Sequence, residues 1–212
     1  MQIQANDFSL FKLIGINTLL TLSKYQKVLA GNFYTYTEEQ LIKAVRKRNM
    51  LAFKFLVEKF EDDVAKTVIG MLGNVAEADD VGQEVFIRFY NSINKFRGDS
   101  SIKTYLIRIA INLSLNELKR RKAKRWLSFE DSYHETKSIK DEYKDSDLKE
   151  VVHLALNELE IDFRSVLVLR LLQGYSTRET AIILKLPEGT VLSRLSRGQK
   201  KLKQIILNME RI

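Results

Sequence analysis

The sequence predicts an all-α fold of two small helical domains joined by a charged linker, and three observations carry that expectation. Its 212 residues contain one proline and nine glycines, too few for a turn-rich β architecture. Apolar residues recur at helical spacing over most of the chain. Across residues 123–146 that recurrence lapses into charged and serine residues, as between domains. Forty-five per cent hydrophobic residues is a globular composition that excludes wholesale disorder. The absence of cysteine excludes a disulfide framework and a thiolate metal site. With only His134 and His153, a histidine-rich metal centre or a serine–histidine triad is not expected either.

The elements follow in order. Residues 1–36 form an N-terminal extension to which no role is assigned. Its apolar stretch, Phe8 to Leu22, is short for a membrane span and is interrupted by Lys12 and Asn17. It lacks the basic flank and small-residue cleavage site of a secretory signal. A helix packed on the body and residues from an upstream start are both open readings of it. Thr37 and Gln40 make a capping box opening a helix with apolar positions Leu41, Ala44, Val45, then Leu51, Phe55 and Leu56. A second helix, Ala78 to Asn91, places Val81, Val85, Phe86 and Phe89 on one side, with Asp80, Gln83 and Glu84 among its polar positions. The third and longest, from about Ser101 to Lys122, carries one apolar row at Ile102, Tyr105, Leu106, Ile109, Ala110 and Leu113. A second row runs through Ile107, Ile111, Leu115 and Leu118. What remains polar is a narrow band of Thr104, Arg108, Asn112, Asn116 and Lys119, within roughly 120° of arc. A helix buried on most sides that keeps only hydroxyl, amide and cationic groups on its open strip presents that strip to a ligand.

Past the linker, Leu148 to Leu159 is amphipathic, and Asp162 is placed to cap a helix from Phe163 to Leu172 that Gly174 ends. Ser176 and Glu179 form a second capping box before a short helix, Thr177 to Leu184. Lys185, Leu186 and Pro187 make a tight break, with proline near the start of the next helix. That helix turns Val191, Leu195 and Leu202 inward and Thr190, Ser193, Arg197 and Lys200 outward. Two short helices, a tight turn and a basic second helix make a helix-turn-helix sized for a major groove.

The net charge of +8, thirty-five basic against twenty-seven acidic residues, points to an acidic partner such as nucleic acid. Its layout is more informative than its sum. Glu58 to Glu84 has eight acidic and two basic residues, whereas Arg97 to Arg125 has nine basic and two acidic. Trp126 to Glu150 is acidic again, eight against four, and Lys185 to Lys203 is basic, six against one. Two basic blocks separated by acidic ones read as two contact surfaces.

Three segments, in this order, resemble bacterial RNA polymerase sigma factors: D-V-G-Q-E-V-F (Asp80 to Phe86), F-R-G-D-S-S-I-K-T-Y-L-I-R-I-A-I-N-L (Phe96 to Leu113) and L-P-E-G-T-V-L-S-R-L-S-R-G-Q-K-K-L (Leu186 to Leu202). The compact layout, regions two and four without intervening domains, is similar to the extracytoplasmic-function (ECF) type of the sigma-70 family, from about Glu39 to Ile206. The resemblance implies a region 2 domain at 37–122, a linker at 123–146 and a region 4 helix-turn-helix domain at 147–207. It implies that Asp80, Gln83, Glu84 and Phe86 bind the clamp of the largest polymerase subunit, and that region 4 meets the flap of the second. It assigns Lys103, Tyr105, Arg108, Asn112, Asn116, Lys119, Arg120 and Arg121 to recognition and melting of the promoter box nearest the start site. Lys122, Lys124 and Arg125 would join the last of these on phosphates. Ser176, Thr177, Glu188, Thr190, Ser193, Arg194, Arg197, Lys200 and Lys201 are assigned to the distal promoter box. An anti-sigma factor as a further partner and a cytoplasmic location, associated with the nucleoid when active, are also implied. No catalysis, cofactor, metal or small-molecule substrate is expected.

The chain departs from the family pattern at several positions. Ile102 and Tyr105 stand where phenylalanine and tryptophan are common, and Lys185 replaces the glycine usual in the turn. Gly198 lies inside the recognition helix, and Leu159-Glu160-Ile161 stands where a proline-rich start is common. Two other readings compete. An operator-binding regulator would need only the helix-turn-helix and leaves Asp80 to Lys122 without a purpose. A Mg²⁺ site at Asp79, Asp80 and Glu84 would share one helix face, but no phosphate-cradling glycine loop or general base accompanies it.

Overall fold

A computed structural model describes residues 35–128 and 148–209, and every regular element among them is helical. The apolar stretch Phe8 to Leu22 and the linker residues from 129 onward lie outside the described residues. The chain divides into two compact units, residues 1–56 and 57–212.

In the first unit, α1 (Glu38–Arg46) opens on the expected capping box. Thr37 Oγ1 accepts from the Gln40 amide at 3.2 Å, and Gln40 Oε1 accepts from the Thr37 amide at 2.9 Å. The apolar positions from Leu41 to Leu56 do not lie on one helix, as their spacing had suggested. Arg48 takes a left-handed φ of 61°, and Asn49 Oδ1 accepts from the amides of Leu51 and Ala52, opening α2 (Met50–Leu72). Asparagine competes well for amides at a helix start, which is why the break falls there.

The second unit begins within α2 and continues through α3 (Ala76–Ser92), a 3-10 turn at Ile93–Lys95, and α4 (Ile102–Ser128). α4 runs six residues beyond its expected end at Lys122, because the sequence after it has no proline or glycine to stop it. α3 packs along α4. Their shared core includes Val85, Phe89, Ile102, Leu106, Ile107, Ala110 and Ile111, each at most 1 % exposed.

The same unit holds α5 (Leu148–Asn157), α6 (Ile161–Leu167, widened into a π turn at Val168–Leu172), α7 (Thr177–Leu184) and α8 (Glu188–Met209). Leu156, Leu159 and Leu167 form one buried cluster with Leu195, Leu202 and Ile205 against it. Val166, Ala181 and Val191 form another. Asp162 does not cap α6: the N-cap is Glu160, whose side chain makes no capping bond, and Asp162 lies in the first turn with its carboxylate facing α8. The cation on α8 provides a stronger partner than the amides at the helix start. Gly174 follows the π turn at φ 72°, as expected of a helix terminator.

One arginine ties α6 to the end of α2. Arg164 is 6 % exposed and donates to the carbonyls of Met71 (2.6 Å), Leu159 (3.0 Å) and Asn157. Burial lowers its pKa from the ordinary arginine value. Carbonyls at a helix C-terminus carry negative partial charge, so Met71 gives the cation a favourable partner without a carboxylate. Close approach here needs glycine: a Cβ on Gly70 would meet Val168 and Leu172 at 3.0 Å, and one on Gly73 would meet the Asn157 amide at 2.5 Å.

Candidate nucleic-acid interface

α3 presents the acidic surface. Asp79, Asp80 and Gln83 are exposed, whereas Glu84 is half-buried and accepts from Arg88 one turn on, at 2.8 Å. Phe86 is 9 % exposed and belongs to the core side of the helix. Among the described residues no three acidic or histidine side chains converge as metal ligands would.

The strip on α4 stands as its periodicity suggested. Asn112, Asn116 and Lys119 are exposed in a row, with Thr104 and Arg108 half-buried above them. Ser101 Oγ accepts from the Thr104 amide at 3.1 Å, fixing the first turn. Lys103 lies beside this row and is paired with Asp63 of α2 at 2.8 Å. Tyr105 sits in a three-ring cluster, edge-on to Phe89 (5.9 Å between centroids) and Phe96 (5.1 Å), with Phe89 also edge-on to Phe96. Such edge-to-face contacts orient a ring firmly, and here they hold Tyr105 against the body. At the far end Arg120 and Arg121 both donate to Glu117, at 2.8 and 3.2 Å, and Arg121 also reaches the Leu72 carbonyl at 3.3 Å. The Arg120 hydrogen bond holds the Glu117 carboxyl below its ordinary value against the opposing effect of burial, and Arg121 assists.

The helix-turn-helix forms as expected. Ser176 Oγ accepts from the Glu179 amide at 3.2 Å and the Glu179 carboxylate accepts from the Ser176 amide at 2.8 Å. Hydrogen bonding to the Ser176 side chain, and then to its amide, keeps the Glu179 carboxyl below its ordinary value. Thr177 is half-buried behind this exposed cap. The turn is managed by Lys185 itself, which adopts the left-handed conformation at φ 55° and ψ 47°. On α8, Glu188, Ser193, Arg197 and Lys200 are exposed and Thr190 is half-buried. Two of the expected DNA-facing cations are engaged within the body: Arg194 with Asp162 at 2.6 Å and Lys201 with Glu160 at 2.5 Å. Arg197 and Lys201 also lie over the Phe163 ring, at 5.7 and 4.7 Å from its centroid. Gly198 has a packing reason, since a Cβ there would meet Phe163 and Leu167 at 3.2 and 3.3 Å.

Sequence reasoning missed the acidic partners Asp63, Glu160 and Asp162, which lie 40, 41 and 32 residues from their cations. No local spacing signals such pairs.

Two family patterns match the chain: Sigma-70 region 2 over residues 56–124 and Sigma-70, region 4 over residues 149–202. The RNA polymerase sigma-H factor of Pseudomonas aeruginosa is 32 % identical over 174 residues, covering 77 % of this chain and 90 % of that protein. The ECF RNA polymerase sigma factor SigW of Bacillus subtilis is 31 % identical, covering 77 % and 93 %. The fold is similar to that of the sigma factor RpoE of Bartonella quintana, solved with the anti-sigma factor NepR, at a TM-score of 0.60 and 23 % identity, covering 73 % of this chain and 96 % of that one. It is also similar to CnrH, solved with the cytosolic domain of CnrY, at 0.59 and 23 %, covering 80 % and 96 %. With its acidic helix, its polar strip and its helix-turn-helix in the family's order, the chain belongs to the sigma-70 family of RNA polymerase sigma factors, of the ECF type.

Proposed function

We propose that this sigma factor works by holding core polymerase with α3 while presenting two separate DNA-reading helices, α4 and α8, to a promoter. The observation that carries the reading is the strip Asn112, Asn116 and Lys119, exposed on a helix whose apolar rows from Ile102 to Leu113 are sunk in the core. A helix that needed only to be stable would not keep amides in line with a cation. Exposed Asp80 and Gln83, beside half-buried Glu84, form the polymerase-facing surface, with Phe86 beneath as its support.

In the proximal box (conventionally −10), Arg108, Asn112 and Asn116 hydrogen-bond to bases of the displaced strand, and Lys119, Arg120 and Arg121 hold phosphates. Lys103 and Tyr105 fix the start of that strip, through Asp63 and the aromatic cluster. Extruding a base costs a few kcal/mol, offset by contacts to its edge and face, so melting needs no nucleotide hydrolysis. In the distal box (conventionally −35), Ser176 and Thr177 at the start of α7 and Lys200 on α8 contact phosphates. Ser193, Thr190, Glu188 and Arg197 lie where base edges are read. Arg194 and Lys201 position α8 through Asp162 and Glu160. The domains responsible are residues 37–122 and 147–207, joined by 123–146.

The chain acts by binding, without catalysis of its own, in the cytoplasm where core polymerase works. No helix among the described residues is long and apolar enough to cross a membrane. An anti-sigma partner is proposed because the similar RpoE structure was solved with one. Run-off transcription with purified core polymerase tests the whole reading. The chain should produce discrete start sites, and replacing Asp80 and Gln83 together by alanine should abolish them while helix content is unchanged. Tight duplex binding without polymerase association would favour an operator-binding regulator instead.

A further inference from the structure

α8 carries an apolar side chain where a basic helix has no structural use for one. Leu192 is 53 % exposed, although Val191 beside it is fully buried. Its neighbours along the same face are Gly189, three residues before, and Ser196, four residues after, both exposed. Ser193, alongside, is exposed too, and its hydroxyl is turned back to the Thr190 carbonyl at 3.0 Å. A Cβ added at Gly189 would meet nothing within 4 Å. Leu192 therefore projects as a large apolar side chain among exposed Glu188, Gly189, Ser193 and Ser196, in the first two turns of the helix.

Three of the helix's cations have partners of their own. Arg194 is held by Asp162 and Lys201 by Glu160, while Arg197 lies over Phe163 and donates from Nε to the Ser193 carbonyl at 3.3 Å. The first two turns of the helix are left with Glu188 as an exposed charge and Leu192 as an exposed isobutyl group. In a helix-turn-helix, the N-terminal residues of the second helix reach base edges. On those edges in the major groove, the C5 methyl of thymine is the apolar group offered.

We infer that Leu192 is a specificity-determining residue that selects thymine in the distal promoter box, by seating its side chain against the thymine C5 methyl group. The inference rests on the proposed role of α8 and adds to it a chemical preference. It needs no movement of the backbone and leaves the hydrogen-bonding edges to Ser193 and Arg197.

The test removes the methyl group and nothing else. Holoenzyme assembled from this chain and core polymerase first selects its preferred distal boxes from a randomised duplex. Each selected thymine is then replaced in turn by deoxyuridine. Loss at one position of about fourfold in affinity is expected, the worth of one methyl group withdrawn from water. Leu192→Ala holoenzyme should bind the thymine duplex about as weakly as the parent binds the deoxyuridine duplex, and should not distinguish the two. Indifference of the parent to every replacement would overturn the inference while leaving the proposed function intact. Equal sensitivity in Leu192→Ala would overturn it as well, by placing the methyl contact on another residue. A general loss of transcription in that variant with unchanged thymine dependence would assign Leu192 to a protein partner instead. Failure of the parent holoenzyme to select any distal sequence would overturn both readings together. Because Leu192 is exposed, its replacement should leave helix content unchanged.

Discussion

α4 and α8 are both basic helices with a proposed role at DNA, yet the body holds them in opposite ways. α4 is sunk into its core, with Ile102, Leu106, Ile107, Ala110 and Ile111 all at most 1 % exposed and even Ser114 fully buried. α8 lies on the surface, with Val191 and Gly198 as its buried residues and charged pairs to Glu160 and Asp162 along one flank. The contrast fits the role proposed for each. Melting a duplex requires a surface that does not yield when bases are pulled against it, and dense packing on two rows supplies that stiffness. Reading an intact groove requires a helix that protrudes far enough to enter it, which excludes deep burial.

The comparison can be broken most sharply at Leu106. Leu106→Ala should destabilise the protein by about 2–5 kcal/mol, a cavity in the best-packed part of α4. Denaturant unfolding measures it, and a loss below 1 kcal/mol would show that α4 is not the stiff element described. α8 has its own sensitive point in Gly198, where added atoms press on Phe163 and Leu167. Gly198→Val should cost about 1–3 kcal/mol through overpacking, with distal-box selection lost alongside stability as α8 is lifted off α6. Retained selection would mean that α8 is seated by its ion pairs rather than by this close contact.

The smallest effect concerns Glu117, which gathers Arg120 and Arg121 at the end of α4. Its folded pKa lies below the ordinary 4.5. The stability it contributes is therefore present above pH 4.5 and is lost as the pH falls through the lowered value. Glu117→Gln should cost about 0.5–1 kcal/mol at neutral pH, and the variant's stability curve should converge with the parent's in acid. Parallel curves down to low pH would remove Glu117 from the account.

Much of this was legible beforehand where the signal is local. Both capping boxes lie within four residues, and a side-chain oxygen three positions from a free amide has few other partners in water. The polar strip on α4 was readable because a buried helix can leave only a narrow arc unsatisfied by apolar residues. The continuous helix expected from Leu41 to Leu56 failed because the period survives a short interruption, while Asn49 supplies a new start. Asp162 failed as a cap because a cation from α8, 32 residues further on, competes for its carboxylate.

The helical class, the family and the separation of acidic from basic surfaces are thus written in local order, since each follows from periodicity or from an ordered run of neighbouring residues. Packing between distant helices sets which cations are engaged, that Tyr105 is held among rings, that Arg164 closes the end of α2, and that Leu192 is left exposed on α8. Those outcomes depend on groups tens of residues apart being brought together by the packing of the helices. There, a partner's position rather than its spacing sets the energy.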